Sequence, residues 1–374
     1  MDFTPAQEQD FARDLAREIF GDLSTPERLA AAGPASDAGL WKALCAAGLL
    51  GAVEDVGLLG LVLLLEEQGR VTAQVPFAAS CVYGLLAVTA HGTDEQRERL
   101  LPGLRDGTAV ATGAFPARGG VVAAAEGARA GTLTGEVPWV PWLRDATEVL
   151  VAVRDPEPRG GHSLWRVRVA DAETEPVELT APWAAGRLVL DGTPAERLGG
   201  EGAYGAYDDV LASARTAFAG LQAGVCAGSL ARAVAHTNER EQFGRPLAAK
   251  QGVQLRAADA HMDTEAIRVT AYEAAWRRDA GLAYGTHALT AAWWASEAGR
   301  RVVHAGQHLH GGTGADLDHP VHRHFLWGRQ LDAYLGCGGE VLAELGDLIA
   351  GGAEGARAAQ DAPQGARAAQ EGAA

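Results

Sequence analysis

The stretch "NEREQFGRPLAAKQ", Asn238 to Gln251, brings a guanidinium, a flat apolar ring and a Gly-x-Pro turn close together. Arg240 can grip an anion through two parallel N–H bonds, while Phe243 offers a face and Gly244 and Pro246 mark a turn. The plain alternative is a pair of solvated charges at a helix end beside a core phenylalanine. A second stretch shifts the balance: "HAGQHLHGGTGADLDHPVHRHFLWG", His304 to Gly328. Gly311, Gly312 and Gly314 let backbone N–H groups approach an anion with no Cβ in the way. A helical pattern rather than a strand precedes them, and their spacing differs from the dinucleotide fingerprint of open α/β sheets. Six of the chain's eleven histidines fall here: His304, His308, His310, His319, His322 and His324. No carboxylate or thiolate partners stand at ligand spacing, so they read as polar packing and no metal is expected.

Working outward, three textures divide the 374 residues. Residues 1–107 are helical: Phe11, Leu15 and Ile19 recur at four-residue steps, and Asp94 to Leu104 reads as a charged helix capped by Thr93 and Gln96. Residues 108–207 alternate Gly and Pro with short β-rich runs, among them "TLTGEVPWV", "EVLVAV" and "SLWRVRV". In the last, Leu164, Arg166 and Arg168 alternate with Trp165, Val167 and Val169, as in a half-buried strand. Residues 208–350 return to long helices, one with a face of Leu255, Ala258, Met262, Ala266, Val269, Tyr272 and Trp276. Residues 351–374, which repeat "GARAAQ", have almost no large apolar side chain and are expected to be a disordered tail. The fold class is mainly α with a central β domain.

Composition limits the function classes. A net charge of −16 disfavours nucleic-acid and membrane-surface partners, which need a positive field. Cys45, Cys81, Cys226 and Cys337 lie far apart, as in a protein with reduced thiols. The N-terminus is charged throughout, and the greasiest run, Leu58 to Leu65, is too short for a membrane span. A cytoplasmic protein is expected.

Taken together, "REQFGRPLAAKQGVQLRAADAHM", "HLHGGTGADLDHP" and "LTGEVPWV" resemble three motifs of the acyl-CoA dehydrogenase family, in the same order and with similar separations, across residues 1 to about 350. The resemblance implies an N-terminal helical domain, a β barrel-like domain and a C-terminal four-helix bundle. It implies FAD as cofactor and an acyl-CoA thioester as substrate. A carboxylate base takes the α proton and the flavin accepts the β hydrogen as hydride, because no amino acid side chain accepts an electron pair from an unactivated C–H bond.

In that family FAD lies between subunits, so the two halves of its site can be read separately. The half given to a neighbour is largely kept: Arg240 at the pyrophosphate; Gln242, Phe243, Lys250 and Gln251 at the ribose and adenine; Gly311 and Gly312 in the glycine loop. His308 stands where the family usually has Gln. The half around the chain's own flavin is eroded. "ATGAFPARGG" replaces the usual covering segment. Trp139 matches the flavin-facing aromatic, but Pro141 replaces a Thr that donates to the ring. The two usual base positions are Leu335 and Ala214, and neither takes a proton. Asp332 and Glu340 lie near Leu335 in the sequence and are the candidates for a displaced base, although both read more simply as ordinary surface charges. The resemblance is nearest to subunits of heterotetrameric (α2β2) dehydrogenases of steroid-type CoA thioesters, which implies a helper chain whose partner supplies the base. A homomer with a relocated base, acting on acyl-CoA or acyl-carrier substrates, and a scaffold without flavin are the alternatives.

Overall fold

The computed structural model describes residues 3–115, 122–124, 130–155, 161–199 and 205–361. Helices come first: α1 (Gln7–Leu23), α2 (Pro26–Ala32), α3 (Ala38–Ala46), α4 (Leu49–Arg70), α5 (Phe77–Ala79), α6 (Ala87–His91) and α7 (Asp94–Asp106). A π-helical turn, Ser80–Leu86, joins α5 to α6. Thr93 and Gln96 form the expected capping box of α7.

Strands follow: β1 (Ala111–Ala114), β2 (Val122–Ala124), β3 (Ala130–Val140), β4 (Glu148–Arg154), β5 (His162–Arg168), β6 (Glu173–Pro176) and β7 (Gly186–Arg197). They form one sheet in the order β1-β4-β5-β7-β3-β2, with β6 added on β7. Only β1 and β4 run parallel. The half-buried pattern of β5 holds from Trp165 to Arg168, with Trp165 and Val167 buried in a second core, Arg166 half-buried and Arg168 exposed; Leu164 departs from it by facing the main core.

The chain closes with α8 (Ala206–Glu239), the small hairpin β8 (Glu241–Gln242) and β9 (Arg245–Pro246), then α9 (Gln251–Asp279), α10 (Gly285–His310), α11 (Pro320–Tyr334) and α12 (Gly338–Asp361). The last helix passes residue 350; residues 362–374, most of the expected tail, lie outside the described residues. α8 is long and apolar enough to cross a membrane, but most of it is buried inside the protein.

Contact between α4 and α8 sets the body of the molecule. A Cβ on Gly224 would stand 2.1 Å from the Glu66 carbonyl oxygen, and one on Gly228 2.1 Å from that of Arg70. Only glycine allows backbones this close. α4 restarts after Gly57, where Asp279 receives the freed N–H groups of Leu58 and Leu59 at 2.9 and 2.8 Å. The apolar run Leu58 to Leu65 beyond it is buried throughout, roughly 2 kcal/mol for each leucine.

Two helical faces differ from the sequence pattern for the same steric reason. On α1 the buried residues are Ala12, Ala16 and Phe20, and Phe11 is 72% exposed. On α9 they are Ala260, Thr264, Ile267, Ala271, Ala274 and Ala275, while Leu255, Met262 and Val269 lie outside. Small residues let the helices approach, so the small face turns inward.

Candidate functional site

Residues singled out in the sequence fall at two places. The first is the end of the bundle where α8 and α10 finish side by side, tied by a stack of His236 on His310 at 4.7 Å. Arg240 caps α8, its backbone N–H donating to the His236 carbonyl at 2.8 Å. Its guanidinium is exposed and makes no ion pair among the described residues. The hairpin pairs Glu241 with Pro246 and Gln242 with Arg245, leaving Phe243 and Gly244 as a two-residue turn. Both turn residues have positive φ, +58° and +75°. Such turns favour Asn-Gly or Gly-Gly, because a Cβ at the first position crowds the backbone at a cost of about 1 kcal/mol. Phe243 bears that strain and is 93% exposed. Lys250, at the N-cap of α9, sets its ammonium 5.0 Å from the Phe243 ring centre, and Gln251 opens that helix in solvent.

His308 lies exposed in the last turn of α10. Gly311 ends that helix at φ +62°, and space is open where a Cβ on Gly311 or Gly312 would stand. Gly314 differs: a Cβ there would meet the Gln307 carbonyl at 2.3 Å, so it packs the loop. An exposed cation, an open glycine loop and a strained, exposed aromatic ring fit a phosphorylated, flat-ringed ligand.

The other histidines have local roles. His319 caps α11 by accepting from Val321 N–H, and His304 meets Phe325 edge-on. His324 is buried between the carbonyls of Arg70 (3.0 Å) and Pro320 (3.2 Å). Those acceptors favour the imidazolium, but burial and nearby guanidiniums outweigh them and push the group down to about 4. Among the described residues no three metal-ligating side chains converge.

The second place is the junction of helical body, sheet and bundle, where Trp139, Ala214 and Leu335 lie. Trp139 is half-buried, 5.9 Å from the Tyr334 ring. Ala214 is fully buried and Leu335 6% exposed. Around them is a plug of aromatic rings that the sequence reading missed. Trp142 stacks on Trp183 at 4.2 Å, Trp183 meets Trp327 edge-on at 5.5 Å, and Tyr334 packs on both Trp183 and Phe218. The Tyr334 hydroxyl bonds that of Tyr83 at 2.9 Å, and burial pushes both phenols up from their ordinary value. Tyr83 lies on Gly113 of β1, where a Cβ would come within 2.6 Å of the ring. The remainder of the replaced covering segment, 116–120, lies outside the described residues. The dipeptides Pro138-Trp139, Pro141-Trp142 and Pro182-Trp183 were the available signal for this plug.

Among the described residues the carboxylates near this junction are already engaged. Asp332, a displaced candidate, accepts from Ser296 at 2.6 Å and pairs with Arg329 at 2.7 Å. Glu340 accepts from the Cys337 N–H at 3.0 Å. Arg215 holds Glu344 through both nitrogens and reaches the Leu335 carbonyl. Each named carboxylate already has donors, and burial keeps the Tyr83 and Tyr334 hydroxyls neutral.

Comparison with known proteins accords with this geometry. The acyl-CoA dehydrogenase N-terminal domain matches residues 6–108 and the C-terminal domain matches residues 200–344. Acyl-CoA dehydrogenase FadE27 of Mycobacterium tuberculosis is 31% identical over 94% of this chain and 99% of its own. A variant of the Tcur3481-Tcur3483 steroid ACAD superposes with a TM-score of 0.86 and 42% identity, over 93% of this chain and 99% of that one. The ChsE4-ChsE5 complex from Mycobacterium tuberculosis gives 0.84 and 28%, over 94% and 99%. The chain belongs to the acyl-CoA dehydrogenase family.

Proposed function

We propose that this chain is the FAD-clamping subunit of a heteromeric acyl-CoA dehydrogenase, acting on a bulky, steroid-type acyl-CoA thioester with a partner chain that supplies the base. The observation that carries this reading is the contrast within one molecule: an exposed, strained anion clamp at one end, and an aromatic plug where the base should be. Resemblance to the two-component ChsE4-ChsE5 complex and to a steroid ACAD supports it.

FAD, when bound, supplies the electron acceptor for the β hydride. On this chain Arg240 would pair with the pyrophosphate, and the open backbone at Gly311 and Gly312 would let its oxygens approach. His308 would donate one hydrogen bond, Gln242, Lys250 and Gln251 would line the ribose and adenine, and Phe243 would cover an aromatic ring of the ligand. Leu335 and Ala214 keep this chain's own base positions apolar. One flavin per unlike pair follows, in the cytoplasm.

The visible spectrum tests this, taken on the chain alone and then with a complementary dehydrogenase-like subunit. A colourless lone chain that turns yellow at about one flavin per pair is expected. A lone chain with a full flavin spectrum that an acyl-CoA bleaches would mean an active homomer. A pair that never binds flavin would favour a scaffold.

A further inference from the structure

Between α2, the α4–α5 loop, α8 and α11 lies a cleft of about 430 Å³. Two guanidiniums line it. Half-buried Arg232 has no hydrogen bond or ion pair among the described residues. Arg323 bonds only neutral oxygens, Gln74 Oε1 at 2.6 Å and Thr72 Oγ1 at 3.5 Å. Guanidiniums withdrawn from water are nearly always paired, and in a chain of net charge −16 carboxylates are plentiful. Thr72 adds a hydroxyl and sits at φ +51°, a strained conformation for a β-branched residue. His319 accepts from Val321 N–H through Nδ1, which puts the proton on Nε2, a second donor at the cleft. Leu29, Leu317 and Pro320 give an apolar wall. The only carboxylate on the lining is Asp318, at the rim; Asp316 acts on His319 from outside it. His236 and His310 lie beyond His319, and His324 closes the floor.

We propose that this cleft is an anion site for a small phosphorylated molecule, held by Arg232 and Arg323 with the Thr72 hydroxyl and His319 Nε2–H. Two cations match a phosphate near −2, whereas a carboxylate leaves one of them uncompensated. The cleft volume lies in the range of small-molecule sites, and its apolar wall suits a phosphate carried on an organic body. It is distinct from the FAD clamp: Arg232 precedes Arg240 by about 12 Å along α8 at 1.5 Å per residue.

Calorimetric titration of the full chain with inorganic phosphate, pyrophosphate and acetate, at constant ionic strength in chloride, tests this. An Arg240→Ala background removes any contribution from the clamp, so failure here is separable from failure of the FAD reading. Saturable 1:1 binding of phosphate or pyrophosphate is expected. It should weaken at least about tenfold with Arg232→Gln, which breaks no internal bond, and tighten several-fold with Asp318→Asn. In the Arg240→Ala background, pyrophosphate at equal concentration should raise the melting temperature more with Arg232 than with the Arg232→Gln change. Absent saturation, or binding indifferent to Arg232→Gln, overturns the site. Acetate binding as tightly as phosphate overturns the phosphate class.

Discussion

The hairpin end of the bundle and the aromatic junction obey opposite rules. At the hairpin, Arg240 has no counter-ion among the described residues, and Phe243 is exposed on a strained backbone that costs an isolated chain stability. At the junction, Trp142, Trp183, Trp327 and Tyr334 are fully buried, and among the described residues the nearby carboxylates are already engaged. One region presents its polar and aromatic groups to solvent, and the other packs them away. On the proposed reading, a half-site is kept in one place and closed in another, because the two halves of an interfacial cofactor site would lie on different surfaces of the same fold.

The largest expected effect comes from forcing chemistry back into the sealed region. Leu335→Glu places a carboxylate in a water-free site, which raises its folded pKa above the unfolded value. Its penalty is therefore absent below about pH 4 and grows as pH rises, reaching about 4 kcal/mol near neutrality. Urea melts at pH 5 and pH 8 measure this. A variant that stays stable at pH 8 and oxidises acyl-CoA alone would falsify the sealed-junction view.

His324 gives the clamp side its own pH signature. Held near 4 in the fold against an ordinary 6.5, it takes its proton more readily when unfolded. Stability is then fully present above about pH 6.5 and falls by about 3 kcal/mol as pH drops through 4. His324→Gln should flatten that slope in acid melts. The plug's Tyr83 and Tyr334 are shifted upward and add no slope in that range.

Arg240→Ala should lower flavin retention by roughly a hundredfold, about 3 kcal/mol for two charge-assisted bonds, while leaving the melt of the lone chain nearly unchanged. Flavin absorbance after gel filtration of the pair reads it. The smallest effect is the most telling: Phe243→Asn, which suits a turn with positive φ, should stabilise the lone chain by about 1 kcal/mol and weaken flavin retention. If both stability and retention fell, Phe243 would be a packing residue and the contrast between the regions would blur.

The parts of the proposed clamp could be picked out together because they are adjacent in the chain. Arg240, Phe243 and Gly244 share one turn, and Gly311 and Gly312 another, so local spacing carried them. The plug was not legible. Trp142, Trp183 and Trp327 come from three distant segments, and an isolated Pro-Trp pair says nothing about which rings it will meet. Asp332 looked available from its helical register with Leu335, and only the fold shows Ser296 and Arg329 holding it. Periodicity also placed Phe11 and Leu255 inside, where Ala12 and Ala260 went instead.

The sequence by itself determined the three-part order of helices, strands and helices, the capping of α7, the turn that follows Arg240 and the apolar side chains at positions 214 and 335. Each of these is a property of residue type and near neighbours. Tertiary structure alone decided which helical faces turned inward, that the junction around Ala214 and Leu335 is packed with tryptophan, and that Arg232 and Arg323 line one cleft without an ion-pair partner among the described residues. The physical reason is reach. Propensity and spacing act over a turn or two of chain, whereas burial, close approach at Gly224 and Gly228, and unpaired charge are set by segments brought together from across the whole sequence.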